Sequence, residues 1–268
     1  MATADALRAG LAPLRGHATI ALVPTMGALH EGHVALMRAA RRASDRVVAT
    51  IFVNPTQFNN PADLAAYARQ EDRDAEIAAG AGVDLLFVPS VREIYRDADA
   101  TSIEVRGAAE GFEGAFRPGH FNGVATVCVK LFNLVAPDEA FFGQKDAQQL
   151  AVIRQVVADL RLDLRIVAVP TVRDHDGLAL SSRNVRLSRE DRQRALAIPR
   201  ALRTGLAAHR AGADPAAAAR GELHELDVDY ADVARFGDHP TLVIAARAGQ
   251  TRLIDNVPLD APELAGLP

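Results

Sequence analysis

The chain has 268 residues, a formal net charge of −4, 49% hydrophobic residues and 24% charged residues, which is ordinary for a globular protein. The acidic balance argues against nucleic acid or a membrane surface as the main partner. No run approaches the roughly 20 apolar residues of a membrane span, and residues 1–10 lack the apolar stretch of a signal peptide. We therefore expect a cytoplasmic protein.

Two rare residue types carry further information. The single cysteine, Cys128, excludes an internal disulfide and stands between two valines, which is typical of a core position. Only two of the 30 basic residues are lysines, Lys130 and Lys145. Because a lysine ammonium is a compact point charge and arginine is a planar fork, a lysine in a polar turn of this chain is a candidate for phosphate binding.

Apolar runs alternate with helical patterns over the first two thirds of the chain. This alternation predicts an α/β fold with a doubly wound, mostly parallel sheet, in which ligands bind at the carboxyl ends of the strands. The predicted strands are Thr19–Val23, Val47–Val53, Asp84–Val88, Ala140–Phe142 and Leu164–Val172. The predicted helices are His33–Arg42, Asp63–Ala79, Gly123–Val135 and Asp146–Leu160. The third carries an apolar stripe at helical spacing, which predicts a core face: Val124, Val127, Cys128, Leu131, Leu134 and Val135. The turns that follow strands are Pro24–His33, Asn54–Asn60, Pro89–Ser90, Gly143–Asp146 and Pro170–Arg173.

The pattern changes after Asp174. The segment Arg189–Leu226 is rich in alanine, and we predict helices there with a break near residues 212–215. Three short strands should follow, at Asp227–Phe236, Thr241–Ala246 and Thr251–Val257. We therefore predict two domains, residues 1–174 with the parallel sheet and residues 175–268 with a smaller α+β structure.

The turn after the first strand contains two histidines three residues apart, His30 and His33, among glycines. Glycine lets the backbone approach a ligand, and a helix N-terminus attracts phosphate. Each histidine could donate a hydrogen bond to a phosphate that gains charge in a transition state. The alternative is a strand–turn–helix junction in which the histidines only cap and pack.

The next two turns suit a small polar substrate. Asn54 and Gln57 lie in the turn after the second strand and are neutral donors and acceptors. Arg117 lies in a loop rich in glycine that could bring it to a phosphate. The alternative for the segment with Asn54 and Gln57 is an ordinary turn, and the alternative for the Arg117 loop is a simple connection between elements.

Two later turns have the character of phosphate loops. Gly143, Lys145 and Asp146 join a strand to a helix that continues with Gln148 and Gln149, and Asp146 could cap that helix or hold magnesium. The run 181–183 supplies two hydroxyls and a guanidinium, which suit a triphosphate that loses diphosphate. The alternative for the Gly143–Asp146 turn is the start of a capped surface helix, and the alternative for the run 181–183 is a polar turn between domains.

In combination the motifs are more specific. The patterns M-G-x-L-H-x-G-H, P-x-Q-F, R-x-x-H-F-x-G-V, G-x-K-D-x-Q-Q and L-S-S-R-N occur in this order between about Thr19 and Val257. This set resembles the pantoate–β-alanine ligase family, and the first pattern resembles the H-x-x-H motif of nucleotidyltransferases. The resemblance implies a Rossmann-like first domain, a C-terminal domain that closes over the active site, and condensation of (R)-pantoate with β-alanine. The reaction would use ATP, proceed through a pantoyl adenylate intermediate, and release AMP and diphosphate.

The resemblance also implies site residues. The ATP contacts would be Met26, Gly27, Ala28, Leu29, His30, Glu31, Gly32, His33, Gly143, Gln144, Lys145, Asp146, Val172, Leu180, Ser181, Ser182 and Arg183. His33 would be the proton donor, with His30 beside it, and the full set of expected catalytic donors is His30, His33, Lys145, Ser181, Ser182 and Arg183. Gln57 and Gln149 would bind pantoate, with Asn54 and Arg117 as further candidates.

The family uses magnesium and is usually a homodimer, so both are expected here. Gln144 stands where glutamate is common, but the contact there is largely through the backbone. Some members carry an acidic magnesium cluster in the helix after the P-x-Q-F turn. Here that helix reads Glu71, Asp72, Arg73, Asp74, and the arginine argues against a metal site, so no magnesium ligands are assigned.

Three other functions are weighed against this reading. A nucleotidyltransferase that keeps the nucleotide in its product would need more basic residues near Gln57 and Gln149. A non-catalytic nucleotide- or RNA-binding protein is disfavoured by the intact donor set and the acidic balance. A fragment of a tRNA synthetase is disfavoured because no basic anticodon-binding region is visible.

Overall fold

The computed structural model describes residues 1–97, 99–235 and 239–267. Phe236, the predicted end of a strand, and the terminal Pro268 lie outside these ranges. Backbone contacts divide the chain into two compact units. The N-terminal unit comprises Met1–Leu29, His33–Phe142 and Gln148–Val169, and the C-terminal unit comprises His30–Gly32, Gly143–Ala147 and Pro170–Pro268. The predicted domain boundary between residues 174 and 175 stays a prediction.

The first five strands form one sheet. They are β1 Ile20–Thr25, β2 Arg46–Ile51, β3 Leu85–Phe87, β4 Glu139–Gly143 and β5 Arg165–Val169, in the spatial order β3-β2-β1-β4-β5. The pairings of β1 with β2, β1 with β4 and β2 with β3 are parallel. The order reverses between β1 and β4, which makes their carboxyl ends the switch point where ligands bind in doubly wound sheets. The predicted fold class is confirmed.

Eight α-helices come before residue 160 in the described ranges. They are α1 Ala4–Leu11, α2 Glu31–Ala43, α3 Pro61–Ala65, α4 Glu71–Gly80, α5 Val91–Ile94, α6 Phe112–Phe116, α7 His120–Val135 and α8 Ala147–Asp159. The single helix predicted over Asp63–Ala79 is wrong, since the chain leaves α3 at Ala66 and starts again at α4. In the intervening segment the ring of Tyr67 packs edge-on against Phe58, with 5.8 Å between ring centroids. This contact takes the chain out of the helical path.

Alternate residues of a strand point to opposite faces of the sheet. The strand residues are apolar on both faces, so helices pack on both. Leu22 of β1 packs in one cluster with Cys128 and Leu131 of α7, and α1, which the sequence reading did not predict, adds its buried Leu7 and Leu11. On the other face, Val34, Met37 and Ala40 of α2 pack against Ala21 and Val23 of β1. The apolar stripe predicted on α7 is therefore confirmed as a core face.

The C-terminal unit has a sheet of its own. Strands β6 Asp227–Ala234, β7 Thr241–Ala248 and β8 Thr251–Pro258 pair antiparallel in the order β6-β7-β8. The helices are α9 Arg189–Ala195, α10 Ala197–Arg210 and α11 Pro215–Gly221. The predicted break falls between α10 and α11, where Asp214 caps the second helix. Ile198 and Leu202 of α10 share a core with Leu242 and Ile244 of β7.

Candidate active site

The turn after β1 has an unusual backbone that a remote carboxylate stabilises. Gly27 has a φ of +81° and Ala28 a φ of +50°. Asp74 of α4, which is buried, accepts hydrogen bonds of 2.8 Å from the backbone N–H groups of Ala28 and Leu29. A Cβ at Gly27 would lie 2.9 Å from Asp74 Oδ2, so glycine is required by both φ and space.

His30 follows this turn and lies in the C-terminal unit. The backbone N–H of Gly32 donates to His30 Nδ1 at 3.1 Å, so the proton of the neutral ring is assigned to Nε2. A Cβ at Gly32 would lie 2.8 Å from His30 Cε1, which explains this second glycine. Burial, followed by the positive charge of Lys145, lowers the pKa of His30 below its ordinary value. The ring therefore offers one N–H donor, at Nε2.

His33 is placed in the first turn of α2, and it is half-buried in the N-terminal unit. Glu31 begins the same helix, two residues earlier than predicted.

The turn after β2 brings Met26, Asn54 and Gln57 together. Asn54 is buried and donates from Nδ2 to Gln57 Oε1 at 3.0 Å and to the carbonyl of Gly123 at 3.1 Å. Gln57 donates from Nε2 to Met26 Sδ at 2.9 Å. Both amide hydrogens of Asn54 are thus used within the protein, and Asn54 orients Gln57. A substrate contact of Asn54 itself stays a prediction.

Arg117 and His120 reach the backbone of Gln57. Arg117 donates from Nη2 to the Gln57 carbonyl at 3.2 Å and from Nη1 to His120 Nε2 at 3.0 Å. Because arginine can only donate, His120 carries its proton on Nδ1, which lies 2.9 Å from the same carbonyl. In this structure Arg117 supports Gln57, and its predicted contact with substrate stays a prediction.

The two neighbouring glutamines of α8 differ sharply. Gln148 is buried, and its Nε2 donates to the carbonyls of Ala108 and Glu110, each at 3.0 Å, while its Oε1 accepts the N–H of Glu113 at 2.9 Å. Gln149 is half-buried, and its side chain makes no hydrogen bond to any other described residue. Only Gln149 keeps its amide for a ligand.

In the C-terminal unit, one asparagine holds the segment after β4. Asn256 of β8 donates from Nδ2 to the carbonyls of Gln144 at 3.0 Å and Lys145 at 2.9 Å. Its Oδ1 accepts from Gln144 Nε2 at 3.1 Å. Lys145 lies between Gly143 and Asp146, with its Nζ 3.7 Å from Asp146 Oδ1.

Residues 172–180 fold back on themselves before the predicted Ser–Ser–Arg loop. Leu180 donates its N–H to the carbonyl of Val172 at 2.9 Å. The buried Arg173 forms a two-pronged ion pair with Asp255 of β8, at 2.6 and 3.0 Å. Ser181 Oγ accepts the N–H of Arg183 at 3.2 Å. The Ser181–Arg183 loop is thus shaped locally and follows a segment that is tied to β8.

These segments line one pocket within the C-terminal unit. Its polar walls carry Lys145, Ser181, Arg183, Arg252 and Asp255. Its apolar walls are Leu178, Ala179, Ile198, Leu253 and Ile254. Arg252 pairs with Asp229 and Asp255 pairs with Arg173, so Lys145, Arg183 and the Ser181 hydroxyl are the groups that suit phosphate. Ser182 is half-buried next in the chain and is not part of this lining.

The other lysine has a structural role. Lys130 Nζ donates to the carbonyl of Ile94 at 3.0 Å, pairs with Asp99, and lies 5.1 Å from the centroid of the Tyr95 ring. Of the two lysines, only Lys145 lines the pocket.

Within the described ranges, no group of three or more His, Cys, Asp or Glu side chains could hold a metal ion. In the helix with Glu71, Asp72 and Arg73, the carboxylate of Asp74 accepts from the backbone N–H groups of Ala28 and Leu29. No helix among the same residues is long and apolar enough to cross a membrane.

Asp74 lies in the acidic helix and His120 in one of the motifs, but sequence reasoning assigned neither a role in the site. It missed four further residues that shape the site, namely Tyr95, Arg173, Asp255 and Asn256. Tyr95 donates its hydroxyl to Asn54 Oδ1 at 2.9 Å, and burial raises the pKa of this phenol. A signal existed for Asp255 and Asn256, two adjacent polar residues that follow Leu253 and Ile254 and precede Val257 in β8. For Tyr95 the sequence offered none.

Comparison with known proteins gives a consistent family. The family profile described as pantoate-beta-alanine ligase matches residues 1–258. The pantothenate synthetase of Rhizorhabdus wittichii is 52% identical, over 96% of each chain. The crystal structure of pantothenate synthetase from Thermus thermophilus is 42% identical, with a TM-score of 0.90 over 97% of this chain and 98% of that chain.

A further solved structure is informative by its ligands. The pantoate-beta-alanine ligase from Francisella tularensis, crystallised with beta-gamma ATP and beta-alanine, is 35% identical, with a TM-score of 0.83 over 97% of each chain. The similarity confirms the family that the motifs predicted. This chain belongs to the pantoate–β-alanine ligase family.

Proposed function

We propose that this chain condenses (R)-pantoate with β-alanine to (R)-pantothenate, a precursor of coenzyme A, and converts ATP to AMP and diphosphate through a pantoyl adenylate. The observation that carries the proposal is the pocket of the C-terminal unit, where Lys145, Ser181 and Arg183 converge. The positive charges of Lys145 and Arg183 suit the phosphates of ATP. The ligands in the Francisella structure support the same substrates.

In the first step, a carboxylate oxygen of pantoate attacks the α-phosphorus, and the bond from that phosphorus to diphosphate breaks. Negative charge grows on the non-bridging oxygens and on the departing oxygen. Lys145, Ser181, Ser182 and Arg183 would stabilise the diphosphate. His30 is suited to donate from Nε2, since its Nδ1 accepts from Gly32. His33 would be the proton donor, with His30 beside it.

Pantoate would be bound by two neutral amides of the N-terminal unit, Gln57 and Gln149. Asn54 and Arg117 would act on Gln57, through its side-chain oxygen and its carbonyl respectively. A neutral set of this kind suits hydroxyl and carboxylate groups and does not favour a phosphorylated acceptor. This argues against a nucleotidyltransferase that retains the nucleotide in its product.

In the second step, the amine of β-alanine attacks the acyl carbon of the adenylate, the bond from this carbon to the AMP oxygen breaks, and the amine loses a proton. An activated acyl group held beside an unprotonated amine needs little more than proximity, so no nucleophilic side chain is required.

The remaining properties are proposed from the family resemblance. Magnesium would arrive with the phosphates of ATP, because the described residues hold no cluster that would bind it alone. Asp146 is the single carboxylate of the 143–146 segment and could supply one ligand. We also propose a cytoplasmic homodimer.

Isotope transfer tests the proposal. Pantoate labelled with ¹⁸O in its carboxylate is converted with ATP and β-alanine, and the products are analysed by mass spectrometry. Attack at the α-phosphorus predicts labelled AMP and unlabelled diphosphate. Label in inorganic phosphate, with ADP as the nucleotide product, would contradict the adenylate. Binding of ATP without turnover in the presence of both substrates would point instead to a non-catalytic protein.

A further inference from the structure

We propose that Asn256 is a positioning residue that sets the place of Lys145 in the phosphate pocket. The inference rests on the proposed role of Lys145 and assigns a function to a residue outside the predicted ATP-binding set. Asn256 lies on β8, more than a hundred positions along the chain from the segment that it holds.

The first argument is that the segment around Lys145 has few means of its own to keep its shape. Residues Gln144–Asp146 form a single short 3₁₀ turn after β4, and Gly143, at its N-terminal end, supplies no side-chain cap. Such turns have poorer hydrogen-bond geometry than an α-helix. The turn is bounded by the end of β4 and the start of α8, and contacts from β8 add a constraint between these two ends.

The second argument is that Asn256 supplies these contacts with both hydrogens and the oxygen of its side-chain amide. Its two amide hydrogens satisfy the carbonyls of Gln144 and Lys145, and its oxygen accepts from the Gln144 side chain. The residue is only 2% exposed, so its side chain cannot exchange these partners for water. One of the bonds ends on the backbone of Lys145 itself, which fixes the point from which the ammonium reaches the pocket.

The third argument is that Asn256 is itself held rigidly. Its backbone N–H donates to Asp255 Oδ1 at 2.8 Å, and Asp255 is fixed by the buried ion pair with Arg173. Arg173 also donates to the carbonyl of Gly177 at 3.1 Å. Two adjacent residues of β8 thus hold the Lys145 segment and the segment that leads to Ser181. A rigid second layer of this kind is what keeps catalytic groups in productive geometry.

A double-mutant cycle tests the inference. Asn256→Ala and Asn256→Asp are prepared alone and in a Lys145→Ala background, and kcat/KM for ATP is measured with thermal stability. Asn256→Asp keeps the size of the side chain and places acceptors against two carbonyls. We expect each single Asn256 variant to lose on the order of 10²-fold in kcat/KM, as displaced catalytic groups do. In the Lys145→Ala background the further loss should stay within about threefold, because residues that act through one another are not additive.

The matched control is Thr241→Val on β7, the strand paired with β8. Thr241 is also buried and donates from Oγ1 to the carbonyl of His239 at 3.1 Å. The control removes a part-buried hydrogen bond from the same sheet, and its kcat/KM should stay within about twofold of the parent. A loss comparable to that of Asn256→Ala would show that any weakening of this sheet suffices, and it would overturn the inference.

The outcomes separate the inference from the proposed function. Equal losses in both backgrounds, or folded Asn256 variants with parental activity, would overturn the positioning role while leaving Lys145 in place. Failure of both Asn256 variants to fold would make Asn256 a folding residue and also overturn the inference. Parental activity of Lys145→Ala would contradict the role of Lys145, and with it both proposals.

Discussion

Asp74 Oδ2 accepts a hydrogen bond of 2.8 Å from the backbone N–H of Ala28, a residue in the left-handed region with a φ of +50°. That region costs a residue with a Cβ about 1–2 kcal/mol. The other carboxylate oxygen accepts from Leu29, the next residue. The carboxylate thus stabilises a strained turn that leads directly into His30.

We expect Asp74→Asn to destabilise the protein by about 1–3 kcal/mol, because the new amide group can accept only one of the two N–H groups and turns a donor toward the other. Activity should fall as well, since the turn leads into His30. Thermal unfolding and kcat measure the two effects.

Asp72→Asn is the control for this change. Asp72 lies on the same turn of α4 but is exposed, so the same loss of charge should alter stability by less than about 1 kcal/mol. Equal effects of the two substitutions would mean that charge at the start of the helix, and not the contact with the turn, is responsible.

The pKa of His30 gives a pH dependence of stability. Burial and then the charge of Lys145 lower this pKa in the folded protein below the ordinary value of 6.5, so the unfolded chain binds the proton more readily. As pH falls through about 6.5, the parent should therefore lose stability relative to His30→Gln, which does not titrate. Melting temperatures of both proteins between about pH 8 and 5 test this. A constant difference, or one of opposite sign, would contradict it.

Alanine substitutions of the neighbours Gln148 and Gln149 should have different effects, one on stability and the other on substrate binding. Gln149→Ala should raise the KM for pantoate on the order of tenfold with little change in melting temperature, because its amide has no hydrogen bond to the described protein. Gln148→Ala should lower the melting temperature, because three backbone hydrogen bonds at 2.9–3.0 Å lose their partner. The reverse pattern in substrate titrations and thermal melts would exchange the two roles.

Cys128 should be chemically inert in the native protein. Burial raises the pKa of its thiol to about 12, and the thiolate is the reactive form. A disulfide reagent should therefore react at the rate of unfolding under native conditions and at once in denaturant. Rapid stoichiometric reaction of the native protein would contradict the core position.

Local patterns were sufficient for much of the fold. The alternation of apolar runs predicted the parallel sheet, the stripe on α7 predicted a core face, and three strands were predicted for the C-terminal sheet. These features follow from the periods of strands and helices, which are set within a few residues. The same logic failed at Asp63–Ala79, where packing of Tyr67 against Phe58 interrupts a helix that local pattern favours.

For the site, the sequence by itself determined which turns carry the polar groups, because motifs such as the two histidines and the lysine turn are local. Only the tertiary structure decided what each group does. In the folded chain Gln148 binds backbone carbonyls such as that of Ala108, whereas the Gln149 amide has no such partner among the described residues. Asp74 accepts from the N–H of Ala28 in the turn after β1. Asn256 accepts from Gln144, which is 112 positions away in the sequence. A short polar side chain is committed by whichever donor or acceptor lies within about 3 Å, and folding alone brings such distant partners together.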